Sequence, residues 1–190
     1  VVNLSDRPSA ALPGAIDRIV DLTDVEATRE AFEAVLDEHR VTGFVHCAGV
    51  PHMGPVEAFD AEGFDRIVHL HLRAAMQCVG LVVPAMKARR HGHIVLLGSR
   101  VSLGRVRSSL YGAVKFGILG MARALAVELA PHGINVNVAS PGPVDTPMLR
   151  VYHPAGSAQA QALEASIPMG RVAQPEDVAN AAMFFLRDET

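Results

Sequence analysis

The chain has no tryptophan, two tyrosines, two cysteines, and two lysines against fifteen arginines. Each scarcity excludes something. Cys47 and Cys78 sit in apolar surroundings without a CxxC spacing, which argues against a disulfide framework. They read as buried thiols in a reducing compartment, with the cytoplasm as the expected location. A net charge of −3 with scattered arginines gives no basic field, so nucleic acid is not an expected partner. The longest apolar stretch, AAMQCVGLVVPAM, is interrupted by Gln77, Gly80 and Pro84. It falls short of the roughly 20 residues that a membrane-spanning helix needs, and no basic segment leads into a signal peptide. No membrane partner is expected.

What the chain does have is 49% hydrophobic and 19% charged residues over 190 positions. That suffices to bury one core, and one domain spanning 1–190 is expected. The β-branched run VVNL opens the chain as a strand, and DRIVDL reads as a second. Thr23 and Glu26 have the spacing of a capping box, opening a helix whose apolar face includes Val25, Phe32, Val35 and Leu36. GFVHCAGV is a strand ending in a glycine turn. A long helix is expected from about Ala61 to Arg90, apolar on more than one face and therefore covered on several sides. HIVLLGS and INVNVAS are further strands, with a helix between them running to about Ala130. QPEDVANAAMFFL opens a last helix with Pro175 at its first position. Short apolar strands alternating with helices imply an α/β, doubly wound parallel sheet with helices on both faces. Ligands of such folds bind at the carboxyl ends of the strands, which singles out Ala48-Gly49, Ser99, and Pro141 to Thr146.

Within SSLYGAVKFGILG, a tyrosine is followed one helical turn later by a lysine, so Tyr111 and Lys115 share a face. An ammonium beside a phenol favours the phenolate. It would draw the tyrosine pKa from about 10 toward neutrality, as an acid-base catalyst near pH 7 requires. A tyrosine followed by an exposed lysine is also an ordinary helix surface. The context of the pair is HIVLLGSRVSLGRVRSSLYGAVKFGILGMARALAVELAPHGINVNVASPGPVDTPM. In order it holds a strand, a serine loop, a Tyr-x-x-x-Lys helix, another strand and a Pro-Gly turn. With VHCAGV upstream and IPMGRVAQPEDVANAAMFFL downstream, the chain closely resembles the short-chain dehydrogenase/reductase family over nearly its whole length.

The resemblance implies a Rossmann-like fold and an oxidoreductase acting on CH-OH groups, similar to 3-oxoacyl-acyl-carrier-protein reductases. Tyr111 would exchange the substrate proton, Lys115 would lower its pKa and bind the nicotinamide ribose, and Ser99 would hydrogen-bond the reacting oxygen. Ser102 is the alternative serine. His71 stands where the family usually has an asparagine of a proton relay; it either replaces that group or is a core histidine. Cofactor contacts carry over to Asp21 and Leu22, to Cys47, Ala48 and Gly49, and to Pro141, Gly142, Val144 and Thr146. Asp6 is the candidate for discriminating NAD from NADP, favouring NAD, although Ser5 may hold that position and Arg7 could attract a phosphate. Met148, Leu149, Val151 and Tyr152 would line an apolar pocket under a lid.

Two departures from the family bear on the reading. The family's Thr-Gly-x-x-x-Gly-x-Gly turn has no counterpart in the sequence, so the chain is expected to lack the first β-α unit and the last strand and to hold a dinucleotide poorly. His46 and Cys47 replace two asparagines. His69 and His71 do not face the same way on a helix, and no metal ligands are expected. A homo-oligomer, dimer or tetramer, is expected through the long helix and the tyrosine-bearing helix. The alternative function is a non-catalytic relative serving as a scaffold or cofactor sensor. A serine hydrolase is disfavoured because no G-x-S-x-G surrounds Ser99.

Overall fold

The apolar, β-branched runs form strands because side chains in an extended chain alternate faces and can be buried from both sides. The computed structural model describes residues 1–8 and 14–188. In order, the elements are β1 (Val2–Ser5), β2 (Ile16–Ile19), α1 (Val25–Glu38), β3 (Gly43–His46), α2 (Ala61–Val68), a π-helical segment (His69–Arg73), α3 (Ala74–Arg89), β4 (Gly92–Leu97), α4 (Ser109–Leu129), β5 (Ile134–Ala139), α5 (Pro147–Arg150), α6 (Ala158–Ala165) and α7 (Pro175–Phe185).

All the strand pairs are parallel, as expected, but the sheet is in two pieces among the described residues. β1 pairs with β2, and β3-β4-β5 form a separate ladder. Packing rather than hydrogen bonding joins them. Leu4, Val20 and Leu22 from the first piece share a core with Phe32 of α1, with Cys78, Val79, Val82 and Met86 of α3, and with Ile94 and Leu96 of β4. β4 is the central strand of the second piece. Ile94 and Leu96 face the core beneath α3 and α4, whereas Val95 and Leu97 face Ala182 and Phe185 of α7. Helices therefore cover both faces of this ladder.

Local departures from expectation have local causes. The second strand is Ile16–Ile19 rather than residues 17–22, since the chain turns at Asp21, whose carboxylate accepts from the Thr23 N–H. The cap of α1 is Asp24, not Thr23: Asp24 Oδ1 accepts from the N–H groups of Glu26 and Ala27, while the Thr23 hydroxyl is drawn back to Asp21. Val25 is exposed, whereas Phe32 and Val35 are buried. Cys47 is exposed and only Cys78 is buried, because the alternation of β3 carries the residue after His46 out of the core.

The long helix is not uniform. Between α2 and α3, His69–Arg73 forms a π turn in which the Ala74 N–H donates to the His69 carbonyl five residues back. By length and composition the helical stretches Ala61–Arg89 and Ser109–His132 could each cross a membrane. In the fold their inner faces carry Ala74, Ala75, Val79, Ile118 and Ala122 into the core.

Candidate active site

The carboxyl ends of β3, β4 and β5 deliver three loops that are tied together. The Gly98 N–H donates to the Ala139 carbonyl at 2.9 Å and the Arg100 N–H to the Pro141 carbonyl at 3.0 Å, so the loop after β4 follows the loop after β5. A Cβ on Gly98 would lie 2.4 Å from Ser140 Oγ, which is why the position needs glycine. Ser99 begins a short 3-10 turn. Its hydroxyl accepts from the Val101 N–H at 3.2 Å, and the Ser102 hydroxyl donates to the Ser99 carbonyl at 2.8 Å. Ser102 is thus occupied with backbone, in keeping with a loop-stabilising part.

α4 enters this region with Tyr111 in its first turn and Lys115 one turn on. Lys115 is 5% exposed, and its ammonium donates to the Leu97 carbonyl at 2.8 Å. It lies 5.8 Å from the centre of the Tyr111 ring. Burial pushes the Lys115 pKa down to about 8. Tyr111 goes the other way from expectation, because burial raises its pKa. The ammonium is turned to a main-chain carbonyl, so the acidifying influence anticipated from the i, i+4 spacing does not outweigh desolvation.

His71 closes the other side. It is 1% exposed and packs edge-on to Tyr111, with ring centres 5.5 Å apart and planes at 87°. Its Nε2 is 3.0 Å from both the N–H and the carbonyl oxygen of Val50, so the tautomer decides whether it accepts or donates there. Nδ1 has no hydrogen-bond partner among the described residues, and neither has Nε2 of the buried His46. Burial, followed by the charge of Lys115, lowers both histidines to about 4, which keeps them neutral near pH 7.

Gly49 is required by this arrangement: a Cβ there would lie 2.3 Å from His71 Cε1 and 3.0 Å from each ring nitrogen. Gly49→Ala is expected to destabilise the fold by about 1–3 kcal/mol through overpacking. The penalty should vanish in a His71→Ala background, as a double-mutant cycle of urea unfolding would read.

The remaining expected residues fall around the same strand ends. Leu22 is buried, and Asp21 accepts from the Thr23 N–H and hydroxyl at 2.8 and 2.7 Å, which holds its carboxyl below the usual range. Val144 forms a bridge with Ala173, and Thr146 caps α5 by accepting from the Leu149 N–H at 3.3 Å. Asp6 is at the surface, 3.6 Å from Arg7. Met148, Leu149 and Tyr152 are half-buried and Val151 is exposed. The cleft in this part of the chain is charged rather than apolar, lined by Asp145, Arg150, Glu164, Arg171 and Asp177. Arg150 grips Asp145 with two hydrogen bonds of 2.6 and 2.7 Å, pinning α5 to the loop after β5.

The comparisons with known proteins agree with this geometry. A family model described as enoyl-(acyl carrier protein) reductase matches residues 5–190. The 3-oxoacyl-[acyl-carrier-protein] reductase of Thermotoga maritima is 32% identical over 187 residues, covering 97% of this chain and 75% of the relative. The chain belongs to the short-chain dehydrogenase/reductase family. Among solved structures, the 3-ketoacyl-(acyl-carrier-protein) reductase of Brucella melitensis complexed with NADH is 28% identical, with a TM-score of 0.84 over 92% of this chain and 72% of its own. ElxO with NADP bound shares the fold at 24% identity, with a TM-score of 0.86 over 93% and 72% of the two chains.

As a short-chain dehydrogenase/reductase, the protein is an oxidoreductase dependent on a nicotinamide cofactor, NAD(P). The donor set fits the nicotinamide-ribose half of that cofactor. An ammonium has three N–H donors and Leu97 takes one, leaving two for ribose hydroxyls. Ala48 and Gly49 carry little side chain beside them, which permits close backbone approach.

Proposed function

We propose that the chain interconverts a secondary alcohol and a ketone, with a 3-oxoacyl group carried as a thioester as the substrate class. The observation that carries the reading is the buried Lys115 ammonium, fixed by the Leu97 carbonyl and set over the Tyr111 ring where three strands end. In this reading the bound cofactor supplies or accepts the hydride. Tyr111 gives its phenolic proton to the carbonyl oxygen as negative charge develops there, and Ser99 donates a second hydrogen bond to the same oxygen. Lys115 holds the ribose hydroxyls, while Asp21, Leu22 and Cys47 to Gly49 flank the adenine and ribose, and Pro141 to Thr146 flank the nicotinamide amide. His71, neutral and packed on Tyr111, stands in for the family's relay group as a positioning residue. The identity of the T. maritima relative supports the substrate class. We take residues 1–190 as one Rossmann-like unit, incomplete against the family pattern and working in the cytoplasm.

The test is cofactor oxidation by the full-length protein over a panel of ketones that includes 3-oxoacyl thioesters. Turnover of the thioesters is expected, and a protein that binds NAD(P)H yet turns over no ketone would favour a non-catalytic scaffold or cofactor sensor instead. NAD is the expected choice, because the Asp6 carboxylate repels a 2′-phosphate and its neighbour Arg7 is already paired with it. Asp6→Ala should raise the NADPH to NADH ratio of kcat/KM. An unchanged ratio would remove Asp6 from the site.

An oligomer follows from the outer faces of α3 and α4. Met76, Phe116 and Val127 are 52%, 55% and 80% exposed on helices that are otherwise apolar. Covering such surface with a second copy of the chain removes it from water. Light scattering should give a dimer or tetramer.

A further inference from the structure

At the end of β4 opposite Ser99, two imidazoles and a carboxylate converge. His91 precedes the strand and His93 is its second residue, so the alternation of an extended chain places both on the face continued by Val95 and Leu97 under α7. Asp188 follows α7. Its Oδ1 lies 3.4 Å from His91 Nε2 and 3.2 Å from His93 Nε2, and the three atoms fall within 4.8 Å of one another. We propose that His91, His93 and Asp188 form a binding site for a divalent transition-metal ion of the zinc type, which clips the segment after α7 to the start of β4.

The geometry suits such an ion. A tetrahedral centre with bonds of about 2.0–2.1 Å separates its ligand atoms by about 3.3–3.4 Å, which is the spacing of each imidazole nitrogen from the carboxylate oxygen. The donors are also set in place before any ion arrives. The His93 side chain is 6% exposed, its backbone N–H is held by the Thr42 carbonyl at 2.9 Å, and its ring meets that of His91 edge-on at 5.2 Å. On the other side, Leu186 packs on Gly43, close enough that a Cβ there would lie 3.1 Å from it, and this fixes the chain just before Asp188.

Access and charge define what kind of site this is. The three groups open onto a cleft of about 670 Å³ that is also lined by Arg40, Thr42, Leu186 and Arg187. The cleft admits an ion with its waters and leaves a fourth coordination position for one of them. Two imidazoles and one carboxylate favour zinc, nickel, copper or cobalt over magnesium or calcium, which prefer oxygen alone. The two arginines oppose a cation, so the affinity should be moderate rather than that of a permanently metallated structural site. The ion would sit at the amino end of a six-residue strand, on the order of 20 Å along it from the loop of Ser99. It therefore acts on the attachment of the segment after α7 and takes no part in the proton and hydride steps.

The test is calorimetric titration of Zn²⁺ into the full-length protein, stripped with a chelator and freed of any affinity tag, with Co²⁺ absorption as a second reading. One Zn²⁺ per chain is expected, with a micromolar dissociation constant, a tetrahedral Co²⁺ spectrum and a higher Tm in the presence of Zn²⁺. Mg²⁺ should do none of this. Asp188→Ala, at a position 78% exposed, leaves the fold intact and should weaken binding by about tenfold or more, and His91→Ala should abolish the Co²⁺ spectrum. If Zn²⁺ does not bind, or binds both variants as tightly as the parent, the three groups are a hydrogen-bonded cluster only and the proposal is overturned.

Discussion

Tyr111→Phe is expected to lower kcat/KM for ketone reduction by about 10²- to 10⁴-fold, the range over which a positioned acid contributes to proton transfer. The substitution removes one oxygen and keeps the ring. The edge-on packing against His71 and the approach of Lys115 to the ring face both survive, so the unfolding midpoint and the fluorescence titration with NAD(P)H should stay close to the parent's. Loss of turnover with binding retained is the pattern of a group that acts on the reacting oxygen. Undiminished turnover would sink the proposed mechanism. Burial raises the phenol's pKa, so before substrate binds the tyrosine is a protonated acid across the neutral range. That suits reduction, in which the proton must be on the oxygen when the ketone arrives.

Lys115→Met is expected to have two separable effects. Activity falls, by roughly 10²-fold or more, because the ammonium that orients the ribose is lost. The stability effect is one of pH. Burial holds the lysine at about 8 in the folded protein, against an ordinary value of 10.5. Between those values the unfolded chain binds more protons than the folded one, so this group makes the folded state gain stability as pH rises. The whole displacement corresponds to about 3 kcal/mol of penalty on the buried charge near pH 7, and about 1.4 kcal/mol of it should be relieved between pH 7 and 9. Cys78, raised by burial to about 12, contributes a slope of opposite sign above its ordinary value of 9.0. The lysine's part is therefore read as the difference between parent and Lys115→Met in urea unfolding at matched pH. A difference that does not move with pH would mean that the ammonium is not buried as described.

Most of the architecture was legible because strands and helices leave different periods in the sequence. VVNL, GFVH, GHIVLL and INVNVA became strands, and the i, i+4 spacing placed Tyr111 and Lys115 on one helix face. What escaped depends on distances that no local pattern records. The acceptor for Lys115 is a main-chain carbonyl of β4, which carries no residue-type signal. The choice of Asp24 over Thr23 as a cap was decided by Asp21 competing for the threonine hydroxyl. HGH is plain in the sequence, but its carboxylate partner is 95 positions away from His93. The break between β1 and β3 was hidden as well, since both strands read as ordinary apolar runs.

The π turn over His69–Arg73 was invisible for a different reason: a helix apolar on several faces shows no slip of phase when one residue is added. Its consequence concerns length. Each residue of an α-helix turns the chain by about 100°. Deleting one residue between positions 69 and 73 would restore unbroken α-helical bonding and rotate everything that follows. Ala75, Cys78, Val79, Val82 and Met86 would then swing out of the core together, or Ile67 and His71 would have to turn away instead. The extra residue thus lets one helix satisfy two faces that are out of phase, one set by His71 against Tyr111 and the other by the sheet.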